Sequence, residues 1–365
     1  MTTIACTHAP VTDSRVGPAL EVTGGVDTHA DTHTVAAIDA AGRVLGTAQF
    51  PTTTPGYHAL LAWLRDFGAL VLVGIEGTGV YGAGLARYLA EQGVAMVEVD
   101  RPDRKTRRFA GKSDPIDAQA AARAALCGRQ DGTPKTRDSA VEALRVLRVA
   151  RRAAVSHRAD LQRRLRALIV TAPQQLRDQL RALPLGQLLA TCAALRPDRA
   201  RLEDPLHATK RALRLLARRH GVLSEEITEI DADLDVLVAA IHPALLAVNG
   251  VGTDIAGQLL VTAGANHERL RSEAAFAALC GVAPVPASSG RTQRHRLNRG
   301  GDRDANCALW RITLCRLRHD PRTRTYMARR TTEGLSKTEI IRCLKRYIAR
   351  EIYYVLNPRR PLDAP

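Results

Sequence analysis

Apolar and polar positions change their spacing along the chain, and each spacing predicts a type of element. Short apolar runs predict β-strands, and runs with an apolar residue at every third or fourth position predict helices. The predicted order is strands at 21–27, 34–40 and 43–50, a helix at 55–67, a strand at 69–75, a helix at 79–92, a strand at 94–99 and a helix that starts at Asp114. Three antiparallel strands followed by strand–helix alternation predict a mixed sheet covered by helices.

The remainder of the chain is predicted to be mainly helical. A leucine stripe with coiled-coil spacing runs through residues 137–168, whose other faces carry many arginines. A second helical stretch at 208–240 has an acidic end, so the two suit an antiparallel hairpin or a dimerising coil. The arginines are either a solvated face or a surface that lies along phosphates. Further helices are predicted at 272–279, 311–319 and 337–354.

These patterns divide the chain into five predicted parts and give an α/β plus α fold class. The parts are a disordered lead at 1–20, a mixed-sheet domain at 21–130, a helical, coiled-coil arm at 137–240, a C-terminal domain at 241–356 and a tail at 357–365. Within the C-terminal domain, Gly250 and Gly252 form a Gly-x-Gly turn that resembles a helix-hairpin-helix. Such a turn can point backbone N–H groups at a phosphate, although a plain αα-turn fits the spacing equally well.

The net charge narrows the classes of partner. The chain carries a formal charge of +16, mostly from arginine, which favours a nucleic acid over a membrane surface. No segment is predicted to span a membrane, and the first residues lack the pattern of a secretory signal. The 7 cysteines form no C-x-x-C pair, which indicates a reducing compartment and argues against a zinc knuckle. We therefore expect a cytoplasmic, nucleoid-associated protein.

Four acids occupy positions where such a fold carries chemistry. Asp27 and Glu76 end two predicted strands, and strand ends meet at one edge of a sheet. Asp114 and Asp117 share one face at a helix start, with Asp114 as the expected N-cap and Pro115 at the first helical position. Four carboxylates suit two divalent ions, Mg²⁺ or alternatively Mn²⁺, that act on a phosphodiester. The simpler interpretation of the two helix acids is a variant of the capping box.

Two further patterns near these acids are weaker. Residues 77–82 form a G-x-G-x-x-G between a predicted strand and a helix, with Asp100 at the distance of a ribose-binding acid. This dinucleotide site is disfavoured because Glu76 would repel a pyrophosphate, so we expect the glycines to serve a tight turn. His29 and His33 are expected to be surface or hairpin residues.

A serine pair in an arginine-rich loop is the second candidate site. Ser288 and Ser289 precede Gly290, and a hydroxyl here could attack a phosphodiester while arginines neutralise the developing charge. The alternative is a basic loop whose serines only bind phosphate. The arginines expected to contact nucleic acid are Arg291, Arg294, Arg296, Arg299 and Arg303.

These motifs together resemble one family, from about residue 22 to residue 356. The N-terminal motifs resemble the RuvC-like (RNase H-fold) DEDD domain of the IS110 group of insertion-sequence transposases, to which the Piv-type DNA invertases belong. They are Val26-Asp27, Ile75-Glu76 and Lys112-Ser-Asp114-Pro-Ile-Asp117-Ala. Three C-terminal motifs resemble the C-terminal transposase domain of the same group. They are Gly281-Val-Ala-Pro, Ser289-Gly290 and Arg299-Gly-Gly-Asp-Arg303.

The resemblance implies a DNA recombinase of a mobile element. Asp27, Glu76, Asp114 and Asp117 would hold Mg²⁺, and Ser289, with Ser288 as the fallback, would form a phosphoserine link to DNA. It also implies a guide (bridge) RNA and a homo-oligomer, either a dimer or a tetramer. The alternatives are a metal-dependent nuclease or resolvase of RuvC type, a DNA invertase that uses no RNA, and a non-catalytic nucleic-acid-binding protein.

Overall fold

The computed structural model describes residues 20–99, 113–128, 132–291 and 295–358. Almost all of the predicted lead, most of the predicted tail, Asp100 and Arg294 lie outside these ranges. The chain divides into an N-terminal unit, Met1–Arg137, and a C-terminal unit, Asp138–Pro365. Within the described ranges, no helix combines the length and the apolar character that a membrane span requires.

The N-terminal unit is built on a mixed five-stranded sheet, as the sequence predicts. Its strands lie in the order β3-β2-β1-β4-β5, with β1 antiparallel to β2 and parallel to β4. The elements are β1 Glu21–Thr28, β2 Thr32–Asp39, β3 Val44–Pro51, α1 Thr54–Asp66, β4 Ala69–Glu76, α2 Ala83–Glu91, β5 Met96–Val99 and α3 Asp114–Leu126.

Different helices cover the two faces of this sheet, and successive residues of β1 point to opposite faces. Gly24 faces Leu64 of α1, on the side that holds the apolar core of the unit. Gly25 faces α3, and a Cβ placed on it would come within 2.1 Å of the Ala122 nitrogen. Gly74 of β4 faces α3 in the same way, 2.6 Å from the Ala121 oxygen. The glycines therefore let an alanine-rich helix lie directly on the strands.

The C-terminal unit is helical apart from one short β-ribbon. Its first half contains α4 Ala140–Val170, α5 Gln174–Leu180, α6 Leu185–Ala194, a short 3-10 turn Arg199–Arg201 and α7 Pro205–Ile241. Its second half contains α8 Pro243–Leu246, α9 Thr253–Ala263, a 3-10 turn His267–Arg269, α10 Glu273–Leu279, β6 Val285–Pro286, β7 His295–Arg296, α11 Arg303–His319, α12 Pro321–Thr332 and α13 Lys337–Leu356.

The long helices α4 and α7, here called the arm, pair with each other in antiparallel fashion. Arg151 on α4 forms an ion pair with Asp231 on α7, and further along Gln162 Nε2 lies 2.9 Å from His220 Nε2. This contact within one chain confirms the hairpin alternative. At the base of the arm, Leu144 and Leu234 share a core with Phe276 and with helices α9, α11 and α13.

Candidate active site

The parallel pairing of β1 and β4 brings two of the predicted acids to one edge of the sheet. Val26 pairs with Ile75, so Asp27 and Glu76 follow side by side in adjacent strands. By strand alternation Asp27 shares the face of Gly25, and Glu76 shares the face of Gly74. Both acids therefore lie on the sheet face that α3 covers, and both are largely buried.

Helix α3 supplies the other two acids from its first turn. The structure makes Ser113 the N-cap, since its backbone oxygen accepts from the N–H groups of Ile116 and Asp117. The prediction that Asp114 is the N-cap is therefore wrong by one residue. Asp117 is buried against the sheet, whereas Asp114 is half-buried. Both carboxylates lie at the positive end of the helix dipole.

His29 completes the cluster from the turn between β1 and β2, where it is exposed, as the sequence predicts. Its Nε2 atom lies 3.3 Å from Asp27 Oδ2 and 3.4 Å from Asp114 Oδ1. Its position directly after β1 is readable from the sequence, but its approach to Asp114 depends on where α3 packs. His33 has a different place: it is fully buried and stacks on Tyr57, with ring centroids 5.7 Å apart.

The charges of this cluster are poorly balanced without a further cation. Burial raises the pKa of Asp27, and the nearby carboxylates of Asp117 and Asp114 raise it further, while His29 opposes them. Carboxylates held together in this way favour a cation between them. The arrangement is thus unfavourable for the protein alone and suited to a bound metal ion.

The donor atoms fit a divalent ion. One ligand atom from each of Asp27, His29 and Asp114 lies within 4.8 Å of the others. Carboxylate oxygens suit Mg²⁺ or Mn²⁺, and an imidazole nitrogen favours a softer ion than Mg²⁺. Asp117 is close enough to act on the pKa of Asp27, and Glu76 is placed beside Asp27 by the strand register.

The glycine loop between β4 and α2 forms a tight turn, as predicted. Gly77 has a φ of +69°, and its oxygen accepts from the N–H groups of Val80 and Gly82 at 3.0 and 3.2 Å. Those two N–H groups are therefore engaged within the loop and do not point at a pyrophosphate. The ribose-binding acid of the dinucleotide alternative, Asp100, lies outside the described residues.

The serine pair lies at the tip of the β6–β7 ribbon. Val285 pairs with Arg296, and both Ser288 and Ser289 are exposed between the two strands. Gly290 adopts a φ of +55°, which allows the chain to turn directly after the serine pair. The remaining described arginines of the predicted set are also exposed; they are Arg291, Arg296, Arg299 and Arg303.

The predicted helix-hairpin-helix turn lies at the start of α9. Gly250 has a φ of +80° and packs against Ile312 of α11, while Gly252 is exposed at the N-cap. Asp254 in the first turn of α9 forms ion pairs with Arg148 and Arg311. A carboxylate thus already occupies the positive end of this helix.

Comparison with known families matches both parts of the chain. Residues 24–172 match the family model of the DEDD transposases of IS110, and residues 242–328 match the transposase family IS116/IS110/IS902. The chain belongs to the IS110 family of insertion-element transposases. The first match contains all four predicted acids, and the second contains the serine pair and the arginines around it, so both candidate sites lie in the parts shared with the IS110 family.

Two similar proteins belong to insertion elements. The uncharacterized 42 kDa protein of IS900 from Mycobacterium paratuberculosis is 28% identical over 203 residues, which cover 49% of this chain and 50% of that protein. The uncharacterized 43.6 kDa protein of IS110 from Streptomyces coelicolor is 31% identical over 135 residues, which cover 36% of this chain and 33% of that protein. The chain thus aligns with half or less of the length of these relatives.

Proposed function

We propose that this chain is a DNA recombinase of an insertion sequence, which cuts and rejoins DNA with a divalent ion and a serine nucleophile. The observation that carries the proposal is the convergence of Asp27, His29 and Asp114 within 4.8 Å at the sheet edge. The strand order β3-β2-β1-β4-β5 supports assigning a RuvC-like fold to the N-terminal unit. The charge of +16 supports a nucleic-acid substrate, in the cytoplasm and at the nucleoid.

The residues that would hold the ion are Asp27, Glu76, Asp114 and Asp117, and the structure adds His29 as a fifth donor. When bound, Mg²⁺ or Mn²⁺ would polarise a phosphodiester and offset the negative charge that develops during cleavage. The chain itself contributes the rigid placement of these donors, because two come from paired strands and two from a helix packed on their glycines.

Ser289 is the proposed nucleophile, with Ser288 as the fallback. Its hydroxyl oxygen forms a bond to phosphorus and gives up its proton to water, one phosphorus–deoxyribose oxygen bond breaks, and the released sugar oxygen takes up a proton. The reverse attack by a hydroxyl of another strand frees the serine, so rejoining needs no ATP. The exposed arginines Arg291, Arg296 and Arg299 would neutralise charge on the phosphate, together with Arg294 and Arg303.

Two further parts of the proposal rest on the family. A guide RNA would direct the choice of DNA, and the chain would act as a homo-oligomer, either a dimer or a tetramer. In such an assembly the acid site of one subunit can serve the serine of another. The arginine-rich surface of the C-terminal unit is compatible with both nucleic acids.

Replacing Glu76 with glutamine tests the acid site. Glu76→Gln should reduce strand cleavage of a plasmid carrying the element ends by at least about a hundredfold, because a donor to the ion loses its charge. DNA binding in a mobility-shift assay should stay nearly unchanged. The matched control is Glu91→Gln, an exposed position on α2 of the same unit. Cleavage that survives Glu76→Gln at the level of the control would contradict the assignment.

A further inference from the structure

A basic cavity lies beside the serine ribbon in the C-terminal unit. It has a volume of about 600 Å³ and is lined by residues of α11 and α13 and by residues that directly follow β7. This volume falls within the range of about 300 to 1,000 Å³ that small-molecule sites occupy. Four cations line it: Arg299, Arg303, Arg342 and Lys345. None of the family motifs discussed above assigns Arg342 or Lys345 a role.

The cations of this cavity lack the ion pairs that engage the cations at the base of the arm, among the residues that the structure describes. At the arm base, a smaller cavity of about 180 Å³ is lined by Arg148, Arg151 and Arg311, and all three form ion pairs with Asp254. No acid stands among the described residues that line the larger cavity. Among the described residues, none of its four cations forms an ion pair within 4 Å. Its positive charge is therefore available to a ligand.

Lys345 is fixed in this cavity by a hydrogen bond to its wall. Its Nζ atom donates to Asn306 Oδ1 at 2.7 Å, and the Asn306 amide donates to the oxygens of Cys280 and Gly281. Burial, and then the nearby Arg342, lower the pKa of Lys345. An ammonium group has three N–H donors, so Lys345 retains donors for an anion after bonding to Asn306.

Trp310 adds a flat apolar surface to the same cavity. It projects from α11 into the lining and is 43% exposed. The chain contains 2 tryptophans, and the other, Trp63, packs in the N-terminal unit with its ring centroid 4.9 Å from that of Phe67. A tryptophan face beside cations is the combination on which single-stranded nucleic acids stack a base next to a bound phosphate.

We propose that this cavity binds one unpaired nucleotide of the DNA strand that the serine loop contacts. Arg342 and Lys345, with Arg299 and Arg303, hold the phosphate, and the base stacks on Trp310. The nucleotide must be unpaired because a base within a duplex has both faces covered by its neighbours. The identity of the strand rests on the proposed function, whereas the nucleotide chemistry rests on the cavity alone.

Fluorescence of Trp310 tests the proposal directly. In the full chain carrying Trp63→Phe, Trp310 is the remaining tryptophan, and it is titrated with a thymidine oligonucleotide of about a dozen nucleotides. The titration contains EDTA, so strand cleavage plays no part. We expect saturable quenching, and we expect the same sequence in duplex form to bind this site about tenfold more weakly.

Two matched variants distinguish binding in the cavity from non-specific attraction of DNA to the positive surface. Arg342→Ala should weaken the quenching titration about tenfold and reduce the dependence on salt by about one phosphate contact. Arg318→Ala removes the same charge from an exposed position of α11 outside the cavity, and it should change the midpoint less than about twofold. Circular dichroism of both variants checks that the fold is retained.

Four results would overturn the proposal. One is DNA binding, measured by anisotropy, without quenching of Trp310; another is an equal effect of the two arginine variants. Either result would show that the cavity is not the nucleotide site, and it would leave the proposed function intact. Quenching by an RNA oligonucleotide of the same length, with no quenching by the thymidine oligonucleotide, would contradict the assignment to a DNA strand. Binding by neither readout would count against both the cavity and the proposed function.

Discussion

The imidazole of His29 lies between two carboxylates that the fold brings together from β1 and α3. Its Nε2 atom is within 3.4 Å of both Asp27 and Asp114. The sequence singled out the acids because strand ends and helix starts are readable from local patterns. It did not single out His29, because the role of this residue depends on where α3 packs, which no local pattern states.

Removing His29 should weaken ion binding without unfolding the site. We expect His29→Ala to reduce Mn²⁺ affinity about tenfold, measured by calorimetry, because one donor of the cluster is lost while the carboxylates remain. The control is His58→Ala, an exposed histidine on α1 of the same unit. Equal affinities for the two variants would show that His29 is not a ligand.

A second histidine makes stability depend on pH. Burial lowers the pKa of His33 to about 4 from its ordinary 6.5, so the unfolded chain binds a proton more readily than the folded one. Stability should therefore fall as pH decreases from 6.5 towards 4, by about 2 kcal/mol between pH 7 and pH 5. The His33→Phe variant should not show this part of the fall in the free energy of unfolding, because it has no imidazole to protonate at this position.

Denaturation in urea, followed by Trp63 fluorescence in a Trp310→Phe background, measures this difference. Carboxylates elsewhere also titrate at low pH and affect both proteins. The free energy of unfolding is therefore measured against pH for the protein that keeps His33 and for His33→Phe, and the two curves are subtracted. A difference close to zero would show that His33 is protonated equally well in the folded chain.

At the scale of elements, two glycines determine where α3 can lie. The short apolar runs of β1 and β4 predict strands, and the start of α3 is predicted to within one residue. The close approach of α3 to Gly25 and Gly74 could not be predicted from the sequence. A glycine in a strand can mark a bulge, a bend or the close approach of another backbone, and only the packing distinguishes these cases.

Substituting Gly25 should therefore displace the helix acids. A Cβ at this position would lie 2.1 Å from the Ala122 nitrogen and 2.3 Å from the Ala118 oxygen, which are backbone atoms that cannot yield separately. We expect Gly25→Ala to cost about 3 kcal/mol of stability and to weaken Mn²⁺ binding. The control is Gly132→Ala, where the nearest atom is 3.7 Å away. Unchanged stability in Gly25→Ala would contradict this packing.

For the arginines of the arm, the sequence pattern does not reveal which of them form ion pairs within the protein. Its arginines suggested phosphate contacts or a solvated face, but several of them are engaged by acids. Arg148 pairs with Asp254, Arg151 with Asp231, and Arg145 with Glu142. Since these partners are mostly distant in sequence, the charge pattern of α4 alone could not separate structural arginines from those free to meet nucleic acid.

At the scale of the whole molecule, the two candidate sites belong to different units of the chain. The acids lie in Met1–Arg137, and the serine ribbon lies in Asp138–Pro365. The first family match extends beyond the N-terminal unit to residue 172, just past the end of α4. The proposed covalent mechanism therefore draws on residues of both units.

The covalent step is the most direct test of this account. The protein is incubated with DNA carrying the element ends and Mn²⁺, quenched with denaturant and digested, and the peptide containing Ser288 and Ser289 is examined by mass spectrometry. The account predicts a nucleotide phosphate attached to Ser289, lost in Ser289→Ala and retained in Ser288→Ala. Cleaved DNA with no serine adduct in the unsubstituted protein would contradict it and indicate a nuclease that uses metal alone.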